Sequence, residues 1–218
     1  QLIFGARGAL ATPEARRALA LCTPRDVIAR NAETPIANTR LNPVADDAYS
    51  GAEAAAEGGA FSVANPDAAR QAIQGVPLTV RIGYQTPNPR LAATIAAITS
   101  ACAPAGITVA STDTTGPLTL RDGGIDALLA STGGATGSGS TGSSAFDAYD
   151  LHTGNGNNLS GYSNPQIDGI ISALAITTDP KEQTRLLADA APMLWTDVPT
   201  VPLYRQQRTV LGAQLAAA

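Results

Sequence analysis

Asp150-Leu151-His152 holds the only histidine of this chain, with a carboxylate two residues before it. In an extended segment those two positions share a face, which is the spacing of a general base and its orienting acid. No Gly-x-Ser-x-Gly elbow, phosphate-binding loop or metal-ligand set accompanies the pair. A histidine without such partners reads as an ordinary loop residue, and the chain is not expected to be an enzyme. Cys22 and Cys102 are the only cysteines, and with one histidine they lack the spacing of a zinc site. No metal and no cofactor are expected. The two cysteines either pair, closing a long loop and adding about 3–5 kcal/mol by restricting the unfolded chain, or remain two buried thiols acting as small hydrophobes.

Groups suited to holding a neutral ligand gather in two stretches. Ser131, Thr132, Gly133 and Gly134 follow the carboxyl end of a predicted strand at 125–130, where open α/β sheets present ligand-contacting loops. Phe146, Tyr149 and the run from Asn157 to Tyr162 are expected near the same rim. Asn, Ser and Gly there can hydrogen-bond sugars or head groups without burying charge. The candidate ligand contacts are therefore Ser131, Thr132, Gly133, Gly134, Phe146, Tyr149, Asn157 and Tyr162. Residues 133–144, GGATGSGSTGSS, offer almost no side chain able to enter a core. By composition they read as a flexible Gly/Ser connector, by position as a contact loop.

The elements that must position these groups are marked by cap-and-proline pairs. Thr12-Pro13, Asn65-Pro66, Asn164-Pro165 and Asp179-Pro180 each place a capping side chain before a proline in the first helical turn. The apolar spacing predicts helices from Pro13, divided by Pro24 after Cys22, then over 65–74, 89–103, 165–175 and 180–195. Leu78–Tyr84 and Gly106–Val109 read as strands flanking the 89–103 helix, a βαβ unit that implies a parallel pairing. Short strands are expected at 2–5, 125–130 and 209–211, with 198–204 extended. Residues 31–59, rich in Asn, Pro, Asp and Gly, read as an extended surface excursion.

Of the 218 residues 44% are hydrophobic but only 4% aromatic, so burial must rely on small aliphatic side chains. A net charge of −4 with basic residues scattered along the chain gives no stripe to neutralise phosphates, and nucleic acid is excluded as a partner. No run of about 18 apolar residues spans a membrane. The segment carries no targeting signal; any export signal or lipid anchor is expected upstream, and the membrane is reached only through such an anchor.

Taken in order, several segments resemble the peptide/nickel-type, or family 5, extracellular solute-binding proteins of ABC importers. Ala15-Arg16-Arg17-Ala18-Leu19 followed by Arg25-Asp26-Val27-Ile28 is similar to the family's VRxAL…DRxxI helix. Asn65-Pro66-Asp67-Ala68-Ala69, Ala105-Gly106-Ile107-Thr108-Val109, Tyr162-Ser163-Asn164-Pro165-Gln166-Ile167-Asp168 and Pro199-Thr200-Val201-Pro202-Leu203 resemble its DPxxA, GIxV, YSNPxxD and PxxPL segments. The resemblance implies an α/β fold of the periplasmic-binding-protein type (type II), with a mixed sheet flanked by helices. Residues 1–218 would form a single carboxy-terminal lobe, with 198–218 an extended tail returning toward a lobe not in this chain. It also implies an extracytoplasmic lipoprotein whose ligand is a small molecule, oligopeptide or glycolipid, partnered by an ABC permease. Peptide-binding members often carry a Trp and an Asp where this chain has Ala130-Ser131-Thr132-Gly133-Gly134, so the peptide's ammonium group would lack its partner. The Ala-rich composition and altered site resemble the LpqW-like mycobacterial lipoproteins. Those imply, as the alternative, a regulatory role beside a membrane enzyme in cell-envelope glycolipid (phosphatidylinositol mannoside and lipoarabinomannan) biosynthesis.

Overall fold

The computed structural model describes residues 1–38, 47–114, 118–130 and 150–204. Strand β1 (Leu2–Phe4) leads into helix α1 (Pro13–Cys22), whose Thr12 side chain accepts a hydrogen bond from the Ala15 amide. The break at Thr23-Pro24 starts α2 (Arg25–Asn31). Helix α3 (Asp47–Glu57) follows, then α4 (Pro66–Ala72), capped by Asn65, and strand β2 (Leu78–Tyr84). Asn88 caps α5 (Pro89–Cys102), which returns the chain to β3 (Ile107–Asp113). A single turn, α6 (Leu118–Arg121), precedes β4 (Ala127–Leu129). Asn164 and Asp179 cap α7 (Pro165–Ile176) and α8 (Pro180–Asp197), and β5 (Thr200–Val201) ends the described chain.

The strands form one mixed sheet in the order β3-β2-β4-β1-β5. β2 is parallel to β3, the arrangement that the βαβ pattern predicts, and also to β4. β1 runs antiparallel between β4 and β5, with Leu2 opposite Leu129 on one side and Val201 on the other. Alternation along the strands sends Leu2, Phe4, Val80, Ile82, Ala127 and Leu129 into the main core with α1, α4 and α5. Ile3 and Leu128 point to the other face, where they meet Leu120 and Ile125. A second core joins Tyr49, Leu151 and Tyr162 to the facing sides of α7 and α8.

The last turns of α1 and α5 are joined covalently: Cys22 and Cys102 form a disulfide with Cα atoms 4.9 Å apart. Both residues are fully buried.

Helix α3 corrects the expectation of an extended excursion over 31–59. Its inward stripe is Tyr49, Glu53 and Glu57, spaced four residues apart and all buried. Glu53 accepts from the Tyr49 hydroxyl at 2.7 Å and from the Trp195 indole of α8 at 2.7 Å. Because two members of the stripe are carboxylates, a search for apolar periodicity passes over it. The carboxylates are buried because each finds donors. Within 198–218, expected to be extended, Thr200–Val201 pairs with β1 as a strand of the sheet. Residues 205–218, with the strand expected at 209–211, lie outside the described residues, as does the 133–144 loop.

Candidate ligand-binding face

Ala130, the residue after β4, exchanges hydrogen bonds with Gln1: its amide donates to Gln1 O at 3.0 Å, and the Gln1 amino group donates to Ala130 O at 2.8 Å. This fixes where the candidate stretch Ser131 to Gly134 departs, at the carboxyl end of β4. Ser131, Thr132, Gly133, Gly134, Phe146 and Tyr149 themselves lie outside the described residues. Asn157 and Tyr162 are described, and they are anchored elsewhere. The Ala6 amide donates to Ser160 O at 2.7 Å, which ties the 157–162 run to the opposite end of β1 from Gln1. A run placed there lies at the far end of β1 from Ala130; the residues with which it is expected to form one rim lie outside the described residues.

The 150–164 loop is organised by one buried side chain. Asn158 Nδ2 donates to His152 O at 3.0 Å and to Tyr162 O at 2.8 Å, while its Oδ1 accepts from Ser160 Oγ at 2.9 Å. Such a network lets irregular backbone sit against the core with its polar groups satisfied. Tyr162 is buried, and its hydroxyl donates to Asp197 Oδ2 at 2.6 Å, so it is not the wetted group expected of a ligand contact. Burial and then the Asp197 carboxylate push its pKa far up, keeping the phenol protonated. Asn164 adds a second donor to the same oxygen at 2.9 Å. Arg16 secures the other side of this corner by donating to Asp197 O at 2.8 Å and to Leu10 O and Ala11 O, each at 3.1 Å. The Tyr162-to-Asn164 motif therefore locks the entrance of α7 to the exit of α8. Asn157 is exposed, and its backbone amide donates to Asn155 Oδ1 at 2.8 Å.

His152 Nδ1 lies 2.8 Å from Thr153 O. Asp168 accepts from the Thr153 amide at 2.9 Å. Burial raises its pKa, but the Thr153 hydrogen bonds and the nearby His152 outweigh that effect and leave it below the usual carboxylate value. These contacts make a loop brace. Among the described residues no group of three or more His, Cys, Asp or Glu side chains is placed to hold a metal ion.

Arg25 braces the region beneath the sheet. Fully buried, it donates to Pro202 O at 2.8 Å, Ala37 O at 2.5 Å, Asn38 Oδ1 at 2.9 Å and Glu57 Oε1 at 3.4 Å. Desolvation lowers its pKa to about 10, against the pull of Glu57 and Glu53, so it stays charged at neutral pH. It also lies 5.4 Å from the Trp195 ring, and that ring stacks on Phe61 at 4.9 Å.

A second polar centre, not anticipated from sequence, lies just before β4. Asp126 is buried and accepts from the Arg81 amide, Arg81 Nε and Arg81 Nη2 at 2.9, 3.0 and 3.0 Å, and from the Ala9 amide at 3.4 Å. Burial pushes its pKa up, but the Arg81 and Ala9 hydrogen bonds prevail and hold it below the ordinary value. Arg81 spends its remaining donors on Gly123 O and Gly124 O. Gly8 closes on this centre with φ +63°, and a Cβ there would stand 2.6 Å from Asp126 Oδ1. The clue in the sequence is an aspartate inside the otherwise apolar run Ile125-Asp126-Ala127-Leu128-Leu129. An acid there needs a partner on the neighbouring strand.

This five-stranded mixed sheet with its helical flanks is the fold of the family 5 extracellular solute-binding proteins. Over 93% of its length the chain superposes on NikA from Staphylococcus aureus, a structure in complex with Ni(L-His)2, with a TM-score of 0.74 and 18% identity, covering 43% of that protein. A mannohexaose-bound periplasmic oligopeptide-binding protein from Thermotoga maritima gives the same TM-score of 0.74 over 93% of the chain, again at 18% identity and covering 43% of that protein. In sequence the chain is 67% identical over 213 residues to a protein of Mycobacterium tuberculosis named uncharacterized lipoprotein Rv2585c. The match takes in 97% of this chain but only 38% of that relative's length. No family model matches the chain. Among the described residues no helix is long and apolar enough to cross a membrane.

Proposed function

We propose that this chain is a ligand-binding lobe of an extracytoplasmic solute-binding lipoprotein, the carboxy-terminal lobe of a longer chain, which closes on a small ligand and delivers it to an ABC permease. The observation that carries the reading is the sheet: β1 inserted antiparallel between β4 and β5, in a chain that superposes on solute-binding proteins over 93% of its length. In this reading the ligand meets the stretch leaving β4, Ser131 to Gly134, with Phe146 and Tyr149 as further contacts, while Asn157 and Tyr162, at the other end of β1, take no part in the contact and Tyr162 acts as scaffold. No residue performs a chemical step. Ser131-Thr132-Gly133-Gly134 carries no charge, so the ligand class favoured is a neutral, hydroxyl-rich one such as a sugar or glycolipid head group rather than a free peptide. No described residue favours the alternative of a regulatory lipoprotein in glycolipid biosynthesis.

The test is a thermal-shift panel on the full-length protein with oligosaccharides, inositol head groups, short peptides and chelated nickel. A saccharide or head group is expected to raise the melting temperature in proportion to the logarithm of its concentration. At a hundredfold excess over Kd the stabilisation is about 2.7 kcal/mol. A response confined to peptides refutes the neutral-ligand assignment. Silence across the panel together with co-purification of a membrane enzyme refutes the transport reading in favour of the regulatory one.

A further inference from the structure

A cavity of about 100 Å³ opens at the end of the sheet opposite Ser131, lined by the turn after β1, by Arg121 and Gly123, and by Ser160 and Gly161. Asp126 stands on this cavity and Ala130 at the other end of β4, four residues on, or about 13 Å of extended strand. The two places are therefore separate, and a site in the cavity stands or falls independently of the ligand proposed for the Ser131 end.

The charges around the cavity do not balance. Its titratable lining is Arg7, Arg81, Arg121 and Asp126. Arg81 and Asp126 neutralise each other through two side-chain hydrogen bonds of 3.0 Å. Arg7 and Arg121 are exposed, and among the described residues neither guanidinium has an ion pair or hydrogen bond. By contrast, Arg16, Arg25, Arg30, Arg70, Arg81 and Arg185 each bind a carboxylate or a carbonyl. Two arginines from two separate segments, neither ion-paired among the described residues, thus line one small hollow in a chain whose net charge is −4. The Asp126 clamp fixes both supports: it holds the Ala9 amide next to the Arg7 turn, and through Arg81 it holds Gly123 O and Gly124 O just beyond Arg121.

We propose that Arg7 and Arg121 form a binding site for a phosphate-type oxyanion, separate from the ligand-binding face. Guanidinium forks match the oxygens of a phosphate group, and two of them balance a dianion. The hollow has room for about three water molecules, which suits one tetrahedral oxyanion and is too small for a peptide or a sugar chain. The phosphate comes either free in solution or as the head group of an anionic lipid, the surface on which a lipid-anchored protein sits.

The experiment uses the full-length protein, the double variant R7Q/R121Q, and R90Q, an exposed arginine off the cavity. Melting temperature is read in sodium phosphate against sodium chloride at matched ionic strength. Sedimentation is read with vesicles of equal parts phosphatidylglycerol and phosphatidylcholine against phosphatidylcholine alone. Since neither arginine has a partner to lose, the double variant should melt with the parent protein in chloride. A phosphate-dependent rise that is weakened at least about tenfold in apparent affinity in R7Q/R121Q and kept in R90Q assigns the site to free phosphate. Sedimentation with the anionic vesicles alone, lost in R7Q/R121Q and kept in R90Q, assigns it to a lipid head group. A parent protein indifferent to both probes, or a double variant that responds as the parent does, overturns the proposal.

Discussion

Replacing both Cys22 and Cys102 by alanine removes the one covalent crosslink seen among the described residues, and its effect can be worked from the chain length it closes. The two cysteines are 80 residues apart in sequence. Restricting a loop of that size costs the unfolded chain about 15 cal/mol/K, or about 4.5 kcal/mol at 25 °C. Spread over an unfolding entropy of roughly 2.1 cal/mol/K for each of the 218 residues of this lobe, taken as one unfolding unit, this lowers the melting temperature of that unit by about 10 °C. Scanning calorimetry of the full-length protein, comparing the parent, C22A, C102A and the double variant, is the assay. Because a bridge is lost whichever end is removed, each single variant should fall about as far as the double. Peptide mapping after alkylation without reductant should find neither thiol labelled. Single-variant losses that simply add, as two independent buried thiols would give, refute the reasoning, as does labelling of both cysteines in the parent.

Arg25→Leu should cost about 3–5 kcal/mol in urea unfolding, because it strips the buried Glu57 carboxylate of its cation and leaves Pro202 O and Ala37 O without their donor. Arg25→Lys should recover little of that, since an ammonium cannot span the same acceptors. The Asp126 carboxyl is held below its ordinary value when folded, so its contribution to stability is present above about pH 4 and is lost as the pH falls through the folded value. Asp126→Asn should therefore lower the melting temperature at neutral pH and flatten its decline on acidification; an unchanged acid limb refutes the assignment. Tyr162→Phe should cost about 1–2 kcal/mol through the lost hydrogen bond to Asp197 while leaving ligand affinity, measured by calorimetric titration, where it was. A tenfold loss of affinity would return Tyr162 to the ligand-contact set.

Where the sequence marks helix starts, structure and expectation coincide, because the signal is local. Asn65, Asn164 and Asp179 each accept a hydrogen bond from a first-turn amide, and a proline follows each of them. The parallel pairing of β2 with β3 is legible for a similar reason: the helix between them leaves few alternatives. Helix α3 is hidden because its buried stripe is partly acidic and its acceptors are met by residues far along the chain, such as Trp195. The place of β1 between β4 and β5 is hidden because antiparallel neighbours distant in sequence leave no local mark. For the site, the expected strand before Ser131 is present as β4, and the 157–162 run is anchored at the opposite end of β1. Nothing in that run announces the Ala6–Ser160 hydrogen bond that anchors it. Arg7 and Arg121 are invisible for the same reason, each being one exposed arginine until the fold brings their segments to one cavity.

The position of β1 also sets a timetable. Leu2–Phe4 emerges first from the ribosome among the described elements, yet it has no strand to pair with until residues 127–129 exist, and one edge stays open until 200–201 follow. β2, α5 and β3 can associate as a neighbouring unit in the meantime, whereas β1 gains its neighbours in this sheet only once residues 127–129 and then 200–201 have been made. Among the described strands, the sheet is thus closed last around the earliest one. A chain cut short before Thr200 would keep the Leu2-Ile3-Phe4 edge exposed, a ready template for pairing with another copy.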